Sequence, residues 1–462
     1  MNTFNHTIFF VRCKKIVILP IVLLFISCES FVAIDPPKNA LVAKQVFADE
    51  AALASAVSGM YAQYYNYALN TNYTLYGALQ ADELQYNMAL SDYNLKFQDN
   101  TLTEDVGQLN NIWGYAYKII YIANAMMEGV IGNAALSQSS ISQAKGEALF
   151  MRALIYFHLI NGWDSVPLVT TTDYQVNRTL PLSDREAVWG QVIADLEEAY
   201  ALLGAEYPSS GKLRPNRHTV AALLAQAQLF REDWQRVIQL ASEVIEAPTY
   251  RLEDDLNRVF IAESQEAIWQ LKATGTNINT KIGQQLLHSR PKTTLASYVR
   301  DELLADFETG DKRMDAWITD YEYLDKSYHL PFKYKLGFYA GDTPEEYEVQ
   351  FRLAELYLYR AEANARLGDV EAAIEDLNVI RGRAGLPLLE KGKLPPEETL
   401  AAVWQEARIE LMFENGHRWY DLKRTGRAQE VLGHIKPEFT ARSLWYPIPL
   451  QQQLDNPALA GQ

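Results

Sequence analysis

Apolar residues recur at three- and four-residue steps along most of this chain, the spacing that places them on one face of an α-helix. A clear run is Leu400, Val403, Trp404, Ala407 and Leu411. Asn415-Gly416 then predicts a break, because glycine supplies the backbone freedom that a helix end needs. A second short segment follows, with Trp419, Tyr420 and Leu422 to bury and Arg418, Asp421, Lys423 and Arg424 to solvate or pair. The pattern also repeats at long range. At an offset of 136 residues, 225–234 aligns without a gap to 361–370, and Val237, Ile238, Ala241 and Val244 align to Ala373, Ile374, Leu377 and Ile380. Each unit reads as helix, tight turn, helix, with small alanines where the paired helices approach. Two further pairs belong to the same stack: 112–131 with 146–159, and 186–203 with 220–230.

Between about 250 and 345 the helical period weakens. Ala267-Ile-Trp-Gln-Leu271 alternates partly and predicts a short strand, whereas 275–280 is polar and loop-like. Residues 314–339 are crowded with aromatics: Trp317, Tyr321, Tyr323, Tyr328, Phe332, Tyr334, Phe338 and Tyr339. The prolines of 444–459 predict an extended strap and no helix. The fold class is therefore mostly α: a scaffold resembling tetratricopeptide repeats, with a loop-rich insertion and few short strands. Repeats in both halves imply one integrated fold.

The N-terminus carries a different signal. Arg12, Lys14 and Lys15 precede an apolar run, 16–26, interrupted only by Pro20. That run is too short for a spanning helix, which needs roughly 20 residues, but suits a secretory signal. Ser27-Cys28 supplies the small residue and cysteine that a lipoprotein signal peptidase requires, although Phe25 is bulkier than the usual leucine. Residues 1–27 read as a removable signal, Cys28 as the lipidated residue, and 28–40, with Asp35-Pro36-Pro37-Lys38, as a tether. Cys13 and Cys28 are the two cysteines, so the processed chain has no thiol for a disulfide. Its stability must come from core packing. The remaining divisions are 41–250 with the first repeats, 251–345 as the aromatic insertion, and 346–462 with the last repeat.

A net charge of −16 argues against nucleic acid, whose phosphates favour a basic surface. Twenty-seven tyrosines and nine tryptophans supply flat apolar faces with polar handles, suited to sugar rings and equally to a helical core. No catalytic constellation is present: the chain lacks His-Glu-x-x-His, Gly-x-Ser-x-Gly and a phosphate loop. No histidines stand at metal-ligand spacing, and His158 reads as a hydrogen-bonded core residue. Adjacent acids such as Asp82-Glu83 and Asp301-Glu302 read as solvated charge, not as a glycosidase pair. No catalytic residue, cofactor or metal ligand is assigned. Two stretches mix aromatics with planar polar groups, as saccharide sites do. The first, 64–86, offers Tyr73, Tyr76, Asp82 and Tyr86, with Asn87 beside it; the second, 317–328, offers Trp317, Tyr321 and Tyr323.

The string Glu406-Ala-Arg-Ile-Glu-Leu-Met-Phe-Glu-Asn-Gly-His-Arg-Trp-Tyr-Asp-Leu-Lys-Arg424 closely resembles the C-terminal signature of the SusD/RagB family. Residues 146–157, the segment Trp163-Asp-Ser-Val-Pro-Leu168 and the ending Leu444-Trp-Tyr-Pro-Ile-Pro449 resemble the same family. The resemblance implies a nutrient-binding lipoprotein, anchored by lipid to the outer membrane and facing the cell exterior. Glu29, beside Cys28, resembles the surface-export signal of the Bacteroidetes. Such a protein would capture an oligosaccharide, or a peptide, and act as a lid on a SusC-like TonB-dependent transporter. The family's nutrient site is built from variable loops, so no motif carries a contact onto a numbered position here. A helical-repeat scaffold without its own small ligand is the other reading.

Overall fold

The computed structural model describes residues 46–87, 92–275, 278–287, 295–337 and 344–460. The signal, Cys28 and the tether lie outside the described residues, as do Phe338 and Tyr339 of the aromatic run. Residues 43–462 make one compact unit.

Helices α1 (Glu50–Asn66) and α2 (Leu69–Gln80) open the described chain. Asp49 starts α1, its carboxylate accepting from the Ala52 N–H. A stack follows: α3 (Gly107–Val130), α4 (Gln138–Trp163), α5 (Arg185–Leu202), α6 (Arg217–Phe230) and α7 (Trp234–Glu246), each packed on its predecessor. From Gly146 to Trp163, α4 is buried on every side, since α3 and α5 cover opposite flanks of it. That explains why this stretch is apolar all round and shows little helical amphipathicity.

After α7 the chain leaves the stack. It returns as α8 (Leu353–Leu367), which packs directly on α7, and continues through α9 (Val370–Ala384) and α10 (Pro396–Glu410). Helix α11 (His417–Arg424) turns back and packs on α2. The 136-residue repeat is exact at the level of helix starts: 217 and 353, then 234 and 370. Its caps repeat as well. Asp233 accepts from the Arg236 N–H and Asp369 from the Ala372 N–H. The turn between the paired helices needs a left-handed residue, and the two copies solve this differently. Gly368 has φ +84°, whereas its counterpart Glu232 has φ +62°.

Among the described residues there are three two-stranded antiparallel sheets, and each includes a strand of the inserted segment. β1 (Leu84–Tyr86) pairs with β3 (Ser297–Val299), and β2 (Ala267–Leu271) pairs with β6 (Glu348–Arg352). β4 (Ile318–Tyr323) and β5 (Lys326–Pro331) form a hairpin. The expected strand at 267–271 is present and buried at every position. Leu324 and Asp325, at φ +49° and +60°, make the tight turn, as a two-residue hairpin with right-handed strand twist requires.

Two expectations need correction. Helix α10 ends at Glu410, earlier than Asn415-Gly416, and 411–416 reverses the chain with Phe413, Asn415 and Gly416 at φ +59°, +46° and +74°. Gly416 is the residue that starts α11, not the cap that ends α10. A Cβ on Gly416 would meet the Tyr73 carbonyl oxygen at 2.9 Å, and one on Gly77 would meet the Gly416 Cα at 2.5 Å. The two glycines thus let α2 and the start of α11 touch backbone to backbone. The C-terminal strap is also not wholly extended: Leu450–Asp455 is helical, with Pro449 as its N-cap. Proline is excluded from a helix interior but not from its start, where no N–H is needed.

Glu232 is exposed and strained in a position that its repeat partner fills with glycine. Glu232→Gly should therefore stabilise the protein by about 0.5–1 kcal/mol in urea unfolding, against the usual sign of a glycine substitution. Destabilisation would show that the left-handed turn carries no strain.

Candidate functional site

The residues proposed from sequence fall into two groups. Tyr73, Tyr76, Asp82 and Trp317 belong to the core, which corrects their selection as ligand contacts. Tyr73 stacks on His158 with ring centroids 3.8 Å apart, and Tyr76 stacks on Phe97 at 3.9 Å. His158 Nδ1 also lies 3.1 Å from the Tyr420 hydroxyl, the hydrogen-bonded core role expected of it. Trp317 is fully buried, donates its indole N–H to the Leu256 carbonyl at 3.1 Å, and has the Lys333 ammonium 4.3 Å from its ring centroid. The physical reason is the same for each: the side chain is buried against other protein groups and closed to a ligand.

Asp82-Glu83 is not solvated charge either, since both side chains are buried. Arg418 donates from Nε and Nη2 to the two Asp82 oxygens, both at 2.8 Å, and Arg408 Nη1 lies 2.6 Å from Oδ2. Burial pushes Asp82 up, but the Arg418 and Arg408 guanidiniums outweigh it and hold the carboxyl at about 2. Glu83 has no such bidentate partner. Burial first, and the neighbouring Asp82 charge second, push it up to about 7.

The second group comes together. Tyr321 and Tyr323 share one face of the β4–β5 hairpin, and Tyr328 is the cross-strand partner of Tyr321. The hairpin packs beside β3, where Tyr298 lies 4.9 Å from Tyr328 at an interplanar angle of 58°. Tyr321 is buried with Leu295 and Leu330, while Tyr298, Tyr323 and Tyr328 are half-buried around them. Three aromatic rings are thus partly open on a rigid apolar base. Planar polar groups border it. Gln85 on β1 pairs in register with Tyr298, and its Oε1 accepts from Arg300 Nη1 at 2.7 Å. Tyr86, also a candidate contact, is instead buried in the main core on β1, its N–H donating to Gln98 Oε1 at 2.6 Å. Asn87 ties the same strand down, donating to the carbonyls of Ala296 and Leu295, both at 2.7 Å. Burial raises the Tyr298 and Tyr321 hydroxyls above their ordinary range, so both keep their protons at neutral pH.

The two sequence stretches therefore do meet, through the β1–β3 pairing, but with different residues forward. Tyr298, Gln85 and Arg300 were missed. A three-residue strand has no period to detect, and its partner lies more than two hundred positions away. Among the described residues, no group of three or more His, Cys, Asp or Glu is placed to hold a metal ion, and no helix is long and apolar enough to cross a membrane.

A carboxyl that holds its proton more tightly when folded stabilises the protein fully below its ordinary pKa of 4.5, and this is lost as pH rises through about 7. Glu83→Gln mimics the neutral form. It should change stability little at pH 5 and raise it on the order of 2 kcal/mol at pH 8, by urea unfolding. Equal effects at the two pH values would show that Glu83 does not titrate in this way.

A mostly helical repeat scaffold carrying an aromatic platform on its insertion defines a class of binding proteins built on stacked helix pairs. Comparison with known proteins narrows it. A family model described as "SusD family" matches residues 319–443, and another described as "Starch-binding associating with outer membrane" matches 33–229. The chain belongs to the SusD/RagB family. Among its relatives, SusD-like protein P25 of Formosa agariphila is 25% identical, with 94% of this chain and 95% of the relative aligned. SusD-like protein P2 of the same organism is also 25% identical, over 94% and 96%. The fold is shared with a SusD superfamily protein from Bacteroides vulgatus at a TM-score of 0.77 and 20% identity, covering 90% of this chain and 98% of that one. A laminarin-binding SusD-like protein has a TM-score of 0.74 and 23% identity, covering 88% and 98%. Surface glycan-binding protein A from Bacteroides uniformis has a TM-score of 0.75 and 20% identity, covering 88% and 98%.

Proposed function

We propose that this protein binds an oligosaccharide at the surface of an outer membrane and passes it to a SusC-like TonB-dependent transporter, without chemical turnover. The observation that carries the reading is the tyrosine platform. Half-buried rings with fixed orientations can stack on the C–H faces of sugars, and Gln85 and Arg300 can meet hydroxyls beside them. Solved relatives named for laminarin and surface-glycan binding support glycan as the ligand class. The description of one matching family model supports the outer membrane. The lipoprotein signal ending at Cys28 supports attachment there by lipid.

The fold suits this task. The platform sits on an insertion whose base is locked into the repeat stack, so the rings are preorganised and little side-chain entropy is lost on binding. Tyr321 positions the hairpin from below, and Tyr323 contributes an outer ring. The repeat stack leaves an extended surface for the transporter.

Titration calorimetry with laminarin-derived oligosaccharides and with short peptides tests this. Tyr298→Ala and Tyr328→Ala should each weaken saccharide binding by about tenfold while leaving thermal melting nearly unchanged. Tyr73→Ala should instead lower the melting temperature. Saccharide binding indifferent to both platform changes would remove the site assignment. Saturable binding of peptides alone would replace glycan with peptide as the ligand class.

A further inference from the structure

On a different part of the molecule lies an open cleft of about 810 Å³, within the usual range of roughly 300–1,000 Å³ for small-ligand sites. It is lined on α3 by the buried Trp113 and by Tyr117, Lys118 and Tyr121, at helical spacing. The one-turn helix Tyr174–Asn177 and the C-terminal segment near Asn456 supply further lining. No residue of the tyrosine platform contributes to it.

Three features point to a ligand. First, aromatic rings are left open: Tyr121 is 48% exposed and Tyr174 69% exposed, and both line the cleft. The rim is stiffened by Tyr67, which stacks on Tyr115 at 4.3 Å with the rings 3° from parallel. Second, Asn177 turns its Nδ2 to the Thr171 carbonyl at 2.7 Å, leaving its buried Oδ1 with no hydrogen-bond donor. Third, the cleft holds two exposed cations, Lys118 and Arg178, and among the described residues no carboxylate forms a salt bridge with either. Lys118 lies 5.6 and 5.3 Å from the Tyr67 and Tyr115 ring centroids, so its nearest partners are π faces. The one carboxylate in the lining, Asp455, is engaged by Gln451 Nε2 at 2.9 Å.

In a chain of net charge −16, an anionic ligand is repelled almost everywhere, and unneutralised cations in an aromatic cleft mark a place where it is not. We propose that this cleft is a second saccharide site, which takes an acidic sugar chain bearing carboxylate or sulfate groups. Tyr121 and Tyr174 stack on its rings, and Lys118 and Arg178 hold its anionic groups. The proposal rests on the glycan-binding reading and adds to it a site and a ligand charge.

The test is calorimetry on the full chain in detergent with three probes: an oligogalacturonate, a sulfated oligogalactan and a neutral β-glucan oligosaccharide. At least one charged probe should bind, and Lys118→Ala/Arg178→Ala should weaken it by about tenfold or more. Lys118→Arg/Arg178→Lys should retain most of the affinity, and Tyr328→Ala should leave it unchanged. Binding of the charged probe should weaken as salt rises from about 0.05 to about 0.5 M, with the neutral probe unaffected. Preference between the first two probes separates carboxylate from sulfate recognition. Charged-probe binding that survives the double substitution, or that Tyr328→Ala abolishes, overturns the second site. Binding of the neutral probe alone overturns it while leaving the glycan reading in place; silence from all three overturns both.

Discussion

The structure depends on a set of paired charges that are almost wholly buried. Arg352, at the end of β6, is fully buried and donates to Glu266 at 2.8 Å, Glu410 at 2.6 Å and both oxygens of Glu414 at 2.7 and 2.8 Å. Arg383 on α9 bonds Glu266 and Glu410, and Arg313 bonds Asp311, Glu406 and Glu410. Lys333, just past the hairpin, donates to Glu414 and to the Glu410 carbonyl. Burial pushes Glu410 up, yet the surrounding Arg383, Arg352 and Arg313 charges hold it well below the ordinary carboxylate range. Desolvating this many ions is costly, and partial pairing would be worse than an apolar core. The arrangement of the insertion against α9 and α10 brings these ions together, with Arg383 Nε the buried donor left without a partner among the described residues. The network thus selects a geometry more than it adds stability.

Its members explain why the string from Glu406 to Arg424 is so dense in charge. Each residue reaches a different part of the chain. Glu410 and Glu414 hold the insertion, Arg418 holds Asp82 after α2, and Arg424 binds Glu362 on α8 with two hydrogen bonds at 2.7 and 2.6 Å. His417 Nε2 lies 3.5 Å from Glu355. The reversal at Phe413, Asn415 and Gly416 makes this possible by pointing consecutive side chains at opposite neighbours. A run of residues that looks like a solvated helix face is instead the meeting point of the fold.

This separates what could be read in the sequence from what could not. Helix positions follow from local period, and the 136-residue repeat located α6 to α9 because helix pairs carry their own register. Charge pairing has no such signature: Arg418 and Asp82 are 336 positions apart. The same holds for the platform, where Gln85 meets Tyr298 across the β1–β3 pair. Tyrosine content was a poor guide for a related reason. Tyr73 and Tyr76 lie on α2, which is held between α11 and the helix Asp92–Gln98, and there a ring stacks on protein as readily as on sugar. Exposure depends on which element covers a face, and that is a property of topology.

The contact between α7 and α8 shows why an insertion is a good place for recognition. The two helices pack as neighbours although the entire segment from β2 to β6 lies between them in sequence. Closure of the stack therefore requires only that the ends of the insertion lie together, which the β2–β6 pairing and the Arg352 network enforce. Loop-closure entropy grows slowly with length, so the parts beyond that neck that do not join the ion network can change in size and sequence at little cost to the scaffold, whereas Asp311, Arg313 and Lys333 cannot. The β4–β5 hairpin lies beyond the neck, beside β3, which β1 ties down. The rings they present are constrained by local packing on Leu295 and Leu330, not by the repeats. Rigidity at the base and freedom at the tip are thus separable in this fold. That separation allows the tip to vary while the scaffold stays recognisable across relatives only about a quarter identical.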